Sequence, residues 1–287
     1  MTPVLRATVF DLDDTLIDSG GAWSRVCAAF AIRHGHRWRE QDEAALHGNG
    51  GWAQYVADLC GGAVSGAQVV ESCTAAMVAE CAAGRVRALP GAVRLVLEAG
   101  RHGPVGVATA SPRRFVLTVL DALGLTPGLD AVVCGEDVVR VKPAPDPYLR
   151  AAAELGVPPS RCLAVEDSPN GIRSAAAAGM SVLALPRGGM RLPDGVLHLP
   201  AAQAGSAAEA APLLRRLLAP AREKGGPASA VSGYAHNCTE RGRVTSARTG
   251  LVLGRARAAR PGKPPVPATV GASGTSRTGA TLTPHRR

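Results

Sequence analysis

A chain of 287 residues with 46% hydrophobic side chains has ample material for a core and room for one or two domains. It has no run of about 18 uncharged apolar residues, and its N-terminus enters a strand within a few residues, so neither a membrane-spanning helix nor a signal peptide is expected and a cytoplasmic location is. The formal charge of +9 invites a nucleic-acid reading, but residues 221–287 hold 12 of the 32 basic and 2 of the 23 acidic residues; residues 1–220, with 20 basic and 21 acidic, are nearly neutral.

The first element is the apolar stretch Ala7-Thr8-Val9-Phe10, read as a buried strand that runs straight into Asp11-Leu12-Asp13-Asp14-Thr15. A parallel strand delivers its last residues to the crevice at the C-terminal edge of an open sheet, where ligands of such sheets bind. Extended geometry turns Asp11 and Asp13 the same way and Leu12 back toward the core. Two carboxylates so close require a cation, a proton or both. A capped turn after a strand would carry similar residues.

Residues 19–88 form a different block, in which apolar periodicity predicts helices over Ala22–Gly35, Gln41–Leu46, Trp52–Cys60 and Ala67–Ala83 and no strand. The segment from Leu46 to Trp52 reads either as a Gly-rich helix connector or as a loop that sets His47 and Asn49 against a polyol. Arg33, Arg37 and Arg39 read as a solvated face, and Trp23, Trp52 and Tyr55 as core. From Leu89-Pro90-Gly91 onward the pattern alternates: helix 91–101, strand 104–109, helix 112–123, strand 131–134 and helix 146–155. Strand 162–166, helix 170–178, strand 181–185 and helix 206–219 complete it. Strands alternating with helices specify an α/β fold with a parallel, Rossmann-like sheet and right-handed crossovers.

Three of these later segments carry chemistry. Thr109-Ala110-Ser111-Pro112 ends a strand where a hydroxyl and free N–H groups make a cradle for phosphate oxygens; Ser111 is expected to cap the helix that begins at Pro112. Lys142, in a Pro-rich segment, is the only lysine before residue 224. Where Arg is the default cation, a solitary Lys suggests a compact point charge rather than a planar fork. The strand 162–166 ends in Glu166-Asp167 ahead of Ser168-Pro169-Asn170-Gly171, two adjacent acids at a second strand end.

In this order the residues resemble the haloacid dehalogenase superfamily of aspartate-nucleophile phosphotransferases. The resemblance implies that Asp11 attacks phosphorus and that Asp13 protonates the leaving oxygen and then activates water. Thr109 and Ala110 correspond to the phosphate-binding second motif, and Lys142 to the lysine that offsets charge on nucleophile and phosphoryl group. Mg²⁺ takes one or two carboxylates with phosphate and water oxygens; Asp11, Asp167 and the carbonyl of Asp13 would supply them, with Glu166 reaching the metal directly or through water. Asp14 stands where relatives frequently carry Gly and is expected to be a bystander. The helical block resembles a C1-type cap, hinged near Ser19 and Leu89-Pro90-Gly91, which divides the chain into a core of 1–18 and 89–220 with a cap of 19–88.

The cap's absences carry information. A β-phosphoglucomutase-like mutase would have His at Trp23 and a cap lysine, a phosphonatase would need a cap lysine, and a dehalogenase would lack Asp13. The implied activity is a Mg²⁺-dependent phosphatase acting on a small phosphorylated metabolite of sugar, polyol or phosphoglycolate type. A phosphosugar mutase and a catalytically idle binding module are the alternatives. Neither a specific nucleic acid nor a membrane is expected as partner, and the chain is expected to be a monomer or homodimer. Residues 221–287, rich in Gly, Pro, Ser, Thr, Ala and Arg, should be largely disordered. Seven cysteines without a CxxC pair read as reduced packing residues.

Overall fold

The computed structural model describes residues 4–187 and 190–219. The disordered-tail expectation, with Cys238, lies outside them. Six parallel strands form the sheet: β1 (Ala7–Phe10), β4 (Val105–Ala108), β5 (Ala131–Val133), β6 (Cys162–Glu166), β7 (Ser181–Ala184) and β8 (Ala202–Gln203). Their spatial order is β5-β4-β1-β6-β7-β8, which places β1 between β4 and β6. A strand covered on both faces reads as a continuous apolar run rather than an alternation, and every residue of β1, β4 and β6 is buried.

The sheet separates two apolar layers. On one side Phe10, Leu12, Val107, Phe115 and Leu163 pack with α5 (Ala92–Gly100), α6 (Arg113–Ala122) and α9 (Ala207–Leu218). On the other, Val9, Val133 and Ala164 pack with Tyr148 of α7 (Asp146–Glu154) and Ile172 of α8 (Pro169–Ala177). Among the described residues no helix is long and apolar enough to cross a membrane. Six cysteines lie in the described residues, all free and five of them buried.

Four helices are inserted between β1 and α5: α1 (Gly20–Arg33), α2 (Glu40–Leu46), α3 (Trp52–Leu59) and α4 (Gly66–Ala82). They enclose an apolar centre of their own, built from Cys27, Phe30, Trp52, Val56, Val69 and Cys73. The block was predicted to hold no strand, yet Ile17–Asp18 (β2) and Arg87–Ala88 (β3) pair antiparallel where the chain leaves and re-enters the sheet layer. Strands this short leave no periodicity to read, and the pairing joins residues far apart in sequence. β8, equally short, escapes prediction for the same reason.

Phe115 links the layers: it is fully buried on α6 and meets Trp23 of α1 edge-on, with ring centroids 5.3 Å apart. Phe115→Ala is expected to lower unfolding free energy by about 3–5 kcal/mol, measured by denaturant titration.

Candidate active site

The adjacency of β1 and β6 decides the site. Phe10 pairs with Val165, and the Asp11 amide donates to the Val165 carbonyl at 2.9 Å, so the acids that follow each strand emerge side by side. Asp11, Glu166 and Asp167 are all buried, and ligand oxygens of the three lie within 4.8 Å of one another. Lys142 provides the local countercharge. Its Nζ donates to Asp11 Oδ1 at 2.5 Å and to Glu166 Oε1 at 2.6 Å, and it lies 5.1 Å from the centre of the Tyr148 ring.

Glu166 is engaged on both edges. Oε1 also accepts from the Tyr148 hydroxyl at 2.7 Å, and Oε2 accepts from the Ser168 amide and hydroxyl, each at 3.3 Å. Protein donors thus engage both oxygens, so Glu166 supports the lysine while standing in the same acidic group as Asp11 and Asp167. Gly171 makes the arrangement sterically possible, because a Cβ there would come within 1.8 Å of Glu166 Oε1. Tyr148 went unassigned in the sequence. The signal was its place six residues after Lys142, one turn into a helix that follows the Pro-rich segment.

One lysine does not neutralise three buried carboxylates. Burial pushes the Asp11 carboxyl up to about 8 against the pull of Lys142, and burial together with Asp11 and Glu166 raises Asp167 well above the usual carboxylate range. Burial alone would lower Lys142, but Asp11 and Glu166 hold it above the usual lysine value. A pair of acids that retains protons against its ordinary tendency is the donor set a hard divalent cation would relieve. Asp11 and Asp167 are free on the pocket side to hold one, with Thr15 Oγ1 steadying Asp167 Oδ1 at 3.4 Å.

Asp13 is held from two sides. Oδ1 accepts from Ser19 Oγ at 2.7 Å and Trp23 Nε1 at 2.9 Å; Oδ2 accepts from Ser111 Oγ at 2.6 Å and Thr109 Oγ1 at 3.2 Å. Ser111 was expected to cap α6, but that helix has Pro112 at its N-cap and no side-chain cap bond. Its hydroxyl turns inward to the acid instead, while its amide donates to Thr109 Oγ1 at 3.0 Å. A core role for Trp23 was likewise too simple, since the indole N–H reaches Asp13.

Asp14 is no bystander. It sits at φ 60°, a left-handed conformation that Asp tolerates better than most residues. Its Oδ1 accepts from the Ser19 and Gly20 amides at 3.3 and 3.0 Å and from Arg187 Nη1 at 2.5 Å. Asp14 thereby ties the start of α1 to the loop after β7.

The loop from Leu46 to Trp52 comes down on the core. A Cβ at Gly48 would approach Ser168 to 2.9 Å and one at Gly50 the Lys142 carbonyl to 2.6 Å, and Asn170 Nδ2 donates to the Gly48 carbonyl at 3.1 Å. His47 lies 3.9 Å from Asp14 and 3.8 Å from Asp167. Asn49 bonds within its own loop, to the Ala45 carbonyl and the Gly51 amide. Together with Asp11, Asp13, Thr109, Ala110, Lys142 and Asp167, His47 and Asn49 border one cavity of about 290 Å³.

Gly171→Ala is expected to cost about 1–3 kcal/mol through overpacking against Glu166, read from denaturant unfolding. Asp11 gives a pH dependence of definite sign. Between its ordinary value of 3.8 and about 8 the folded metal-free protein holds a proton that the unfolded chain has released, so stability falls as pH rises through that window. Thermal unfolding of the metal-free protein from about pH 5 to pH 8 is expected to show this decline.

A family model described as haloacid dehalogenase-like hydrolase matches residues 5–179. Protein CbbY of Rhodobacter capsulatus is 33% identical over 195 residues, covering 63% of this chain and 86% of the relative. Hexitol phosphatase A of Escherichia coli is 34% identical over 182 residues, covering 63% of this chain and 82% of the relative. The crystal structure of a mutant CbbY from Rhodobacter sphaeroides with xylulose-1,5-bisphosphate superposes with a TM-score of 0.63 at 28% identity, covering 71% of this chain and 96% of that one. With strand-end acids, a bridging lysine and a matching family model over most of the described residues, the chain belongs to the haloacid dehalogenase-like hydrolases.

Proposed function

We propose that the chain is a Mg²⁺-dependent phosphatase that hydrolyses a small phosphorylated metabolite through an aspartyl-phosphate intermediate. The observation that carries this reading is the buried Asp11–Lys142–Glu166 bridge, of which Asp11 and Lys142 line one cavity together with Asp13. Phosphate-monoester hydrolysis is among the slowest uncatalysed reactions and demands on the order of 20 kcal/mol of transition-state stabilisation.

In this reading Asp11 Oδ attacks phosphorus in line, the bond to the leaving oxygen breaks, and Asp13 delivers a proton to that oxygen. Asp13, now a carboxylate, takes a proton from water, which attacks the aspartyl-phosphate and releases phosphate and free Asp11. Its four donors fit the carboxylate stage; for the acid stage one of the three hydroxyls turns to accept, because Trp23 Nε1–H cannot. Lys142 stabilises the transferring oxygens, and Thr109 with the N–H groups around Ala110 orients them. Held by Asp11, Asp167 and the Asp13 carbonyl, Mg²⁺ would supply Lewis-acid neutralisation of the phosphoryl oxygens.

The helices of residues 19–88 act as the cap that excludes water, with His47 and Asn49 facing the leaving group. Support comes from the glycines of the 46–52 loop, which bring it against Ser168 and Lys142. The core of 1–18 and 89–220 then provides chemistry, and the cap provides selection.

Phosphate release from p-nitrophenyl phosphate is the direct test. Asp11→Asn is expected to reduce it to background and EDTA to abolish it, with recovery on adding Mg²⁺. Asp13→Asn is expected to lower kcat by about 10²–10⁴-fold on alkyl phosphates. Equal, metal-independent rates for wild type and Asp11→Asn would refute the nucleophile.

A further inference from the structure

We infer that the group carried by the phosphate is an uncharged, hydroxyl-rich chain or ring of about one sugar's size, and that the pocket rejects ligands bearing a second phosphate or a carboxylate. This rests on the phosphatase reading above. It decides among the sugar, polyol and phosphoglycolate classes, which that reading leaves together.

Charge is the first argument. Among the described residues lining the cavity, Lys142 is the only lysine or arginine, and Asp11 and Glu166 already share it. Arginines of neighbouring segments are engaged elsewhere: Arg187 with Asp14 and Asp18, Arg113 with Asp137, and Arg140 with Asp146. His47 faces Asp14 and Asp167. The part of the lining contributed by α1 and α2 includes Ser24 and Glu43, an acid where a second anionic group would need a cation. Glu43 is exposed, so an anion beside it meets a solvent-screened like-charge repulsion with no cation to offset it.

Surface chemistry is the second argument. Trp23 and Trp52 line the same cavity, with ring centroids 4.9 Å apart and planes inclined by 51°. The Trp23 N–H is spent on Asp13, so what these rings add is apolar surface suited to the C–H face of a sugar. Ser24 and Glu43 offer hydroxyl partners beside it. Size is the third argument: about 290 Å³ sits at the low end of small-molecule sites, which span roughly 300–1,000 Å³. That volume admits a phosphoryl group with one sugar-sized unit.

The solved CbbY complex holds a sugar with two phosphates, so selection here runs opposite to that relative's ligand. The test compares kcat/KM for mannitol 1-phosphate, fructose 1,6-bisphosphate and phosphoglycolate on the full-length protein with Mg²⁺, beside p-nitrophenyl phosphate. Mannitol 1-phosphate is expected to exceed the other two by about tenfold, the scale of a solvent-screened like-charge repulsion without a countercharge. Glu43→Lys, and independently Ser24→Arg, should each move the bisphosphate-to-monophosphate ratio by about tenfold toward the bisphosphate. A wild type that prefers the bisphosphate or phosphoglycolate, or a ratio unmoved in both folded variants, overturns the inference while leaving the phosphatase reading intact. Loss of all turnover, p-nitrophenyl phosphate included, overturns that reading instead. Calorimetric binding of the same three ligands then decides the selectivity, with tighter binding of mannitol 1-phosphate supporting it and any other order refuting it.

Discussion

Two neighbouring parallel strands that both end in carboxylates set the terms for this molecule. β1 and β6 share main-chain hydrogen bonds, so Asp11 and Glu166-Asp167 have no freedom to separate. Burial first, and the mutual repulsion of the carboxylates after it, keeps protons on acids that would shed them in solution. Lys142 answers part of that repulsion, and much of the surrounding detail exists to hold Lys142. Tyr148 and Ser168 hold Glu166, Glu166 holds the lysine, and the missing side chain of Gly171 leaves Glu166 its room. The negative charge that remains is what a divalent cation would offset.

That organisation was largely readable before any coordinates, because its signals are local. Strand ends that bear acids, a strand end that bears hydroxyls and a lone lysine in a chain of arginines each lie within a few consecutive residues. The alternation of apolar strands and helices follows from burial of both sheet faces, and the element limits came within a residue or two of those observed. What escaped depends on side chains meeting across the fold. Trp23 reads as packing because its helix is apolar, and nothing local reveals that its N–H points at Asp13. Ser111 carries every mark of a helix cap, yet the half-buried Asp13 carboxylate takes its hydroxyl. Asp14 looks dispensable where relatives have Gly, until its left-handed backbone aims the carboxylate at the start of α1 and at Arg187.

The inserted helices solve a separate problem with the same economy of parts. They pack around an apolar centre of their own, and the loop between α2 and α3 forms a surface beside it. Glycine at 48 and 50 gives that surface close contact with the two segments that carry Ser168 and Lys142. Charge and shape thus divide the work: the sheet edge is crowded with ionisable groups, while the side opposite is aromatic, polar and poor in cations.

Asp13 belongs to neither half alone. One of its oxygens is gripped by residues at the start of the inserted helices, Ser19 and Trp23, and the other by residues at the end of β4, Thr109 and Ser111. The carboxylate therefore works as a rivet, fastening the start of α1 to the end of β4 through one carboxyl group. A substitution at position 13 would loosen two segments at once, whatever it did to the chemistry.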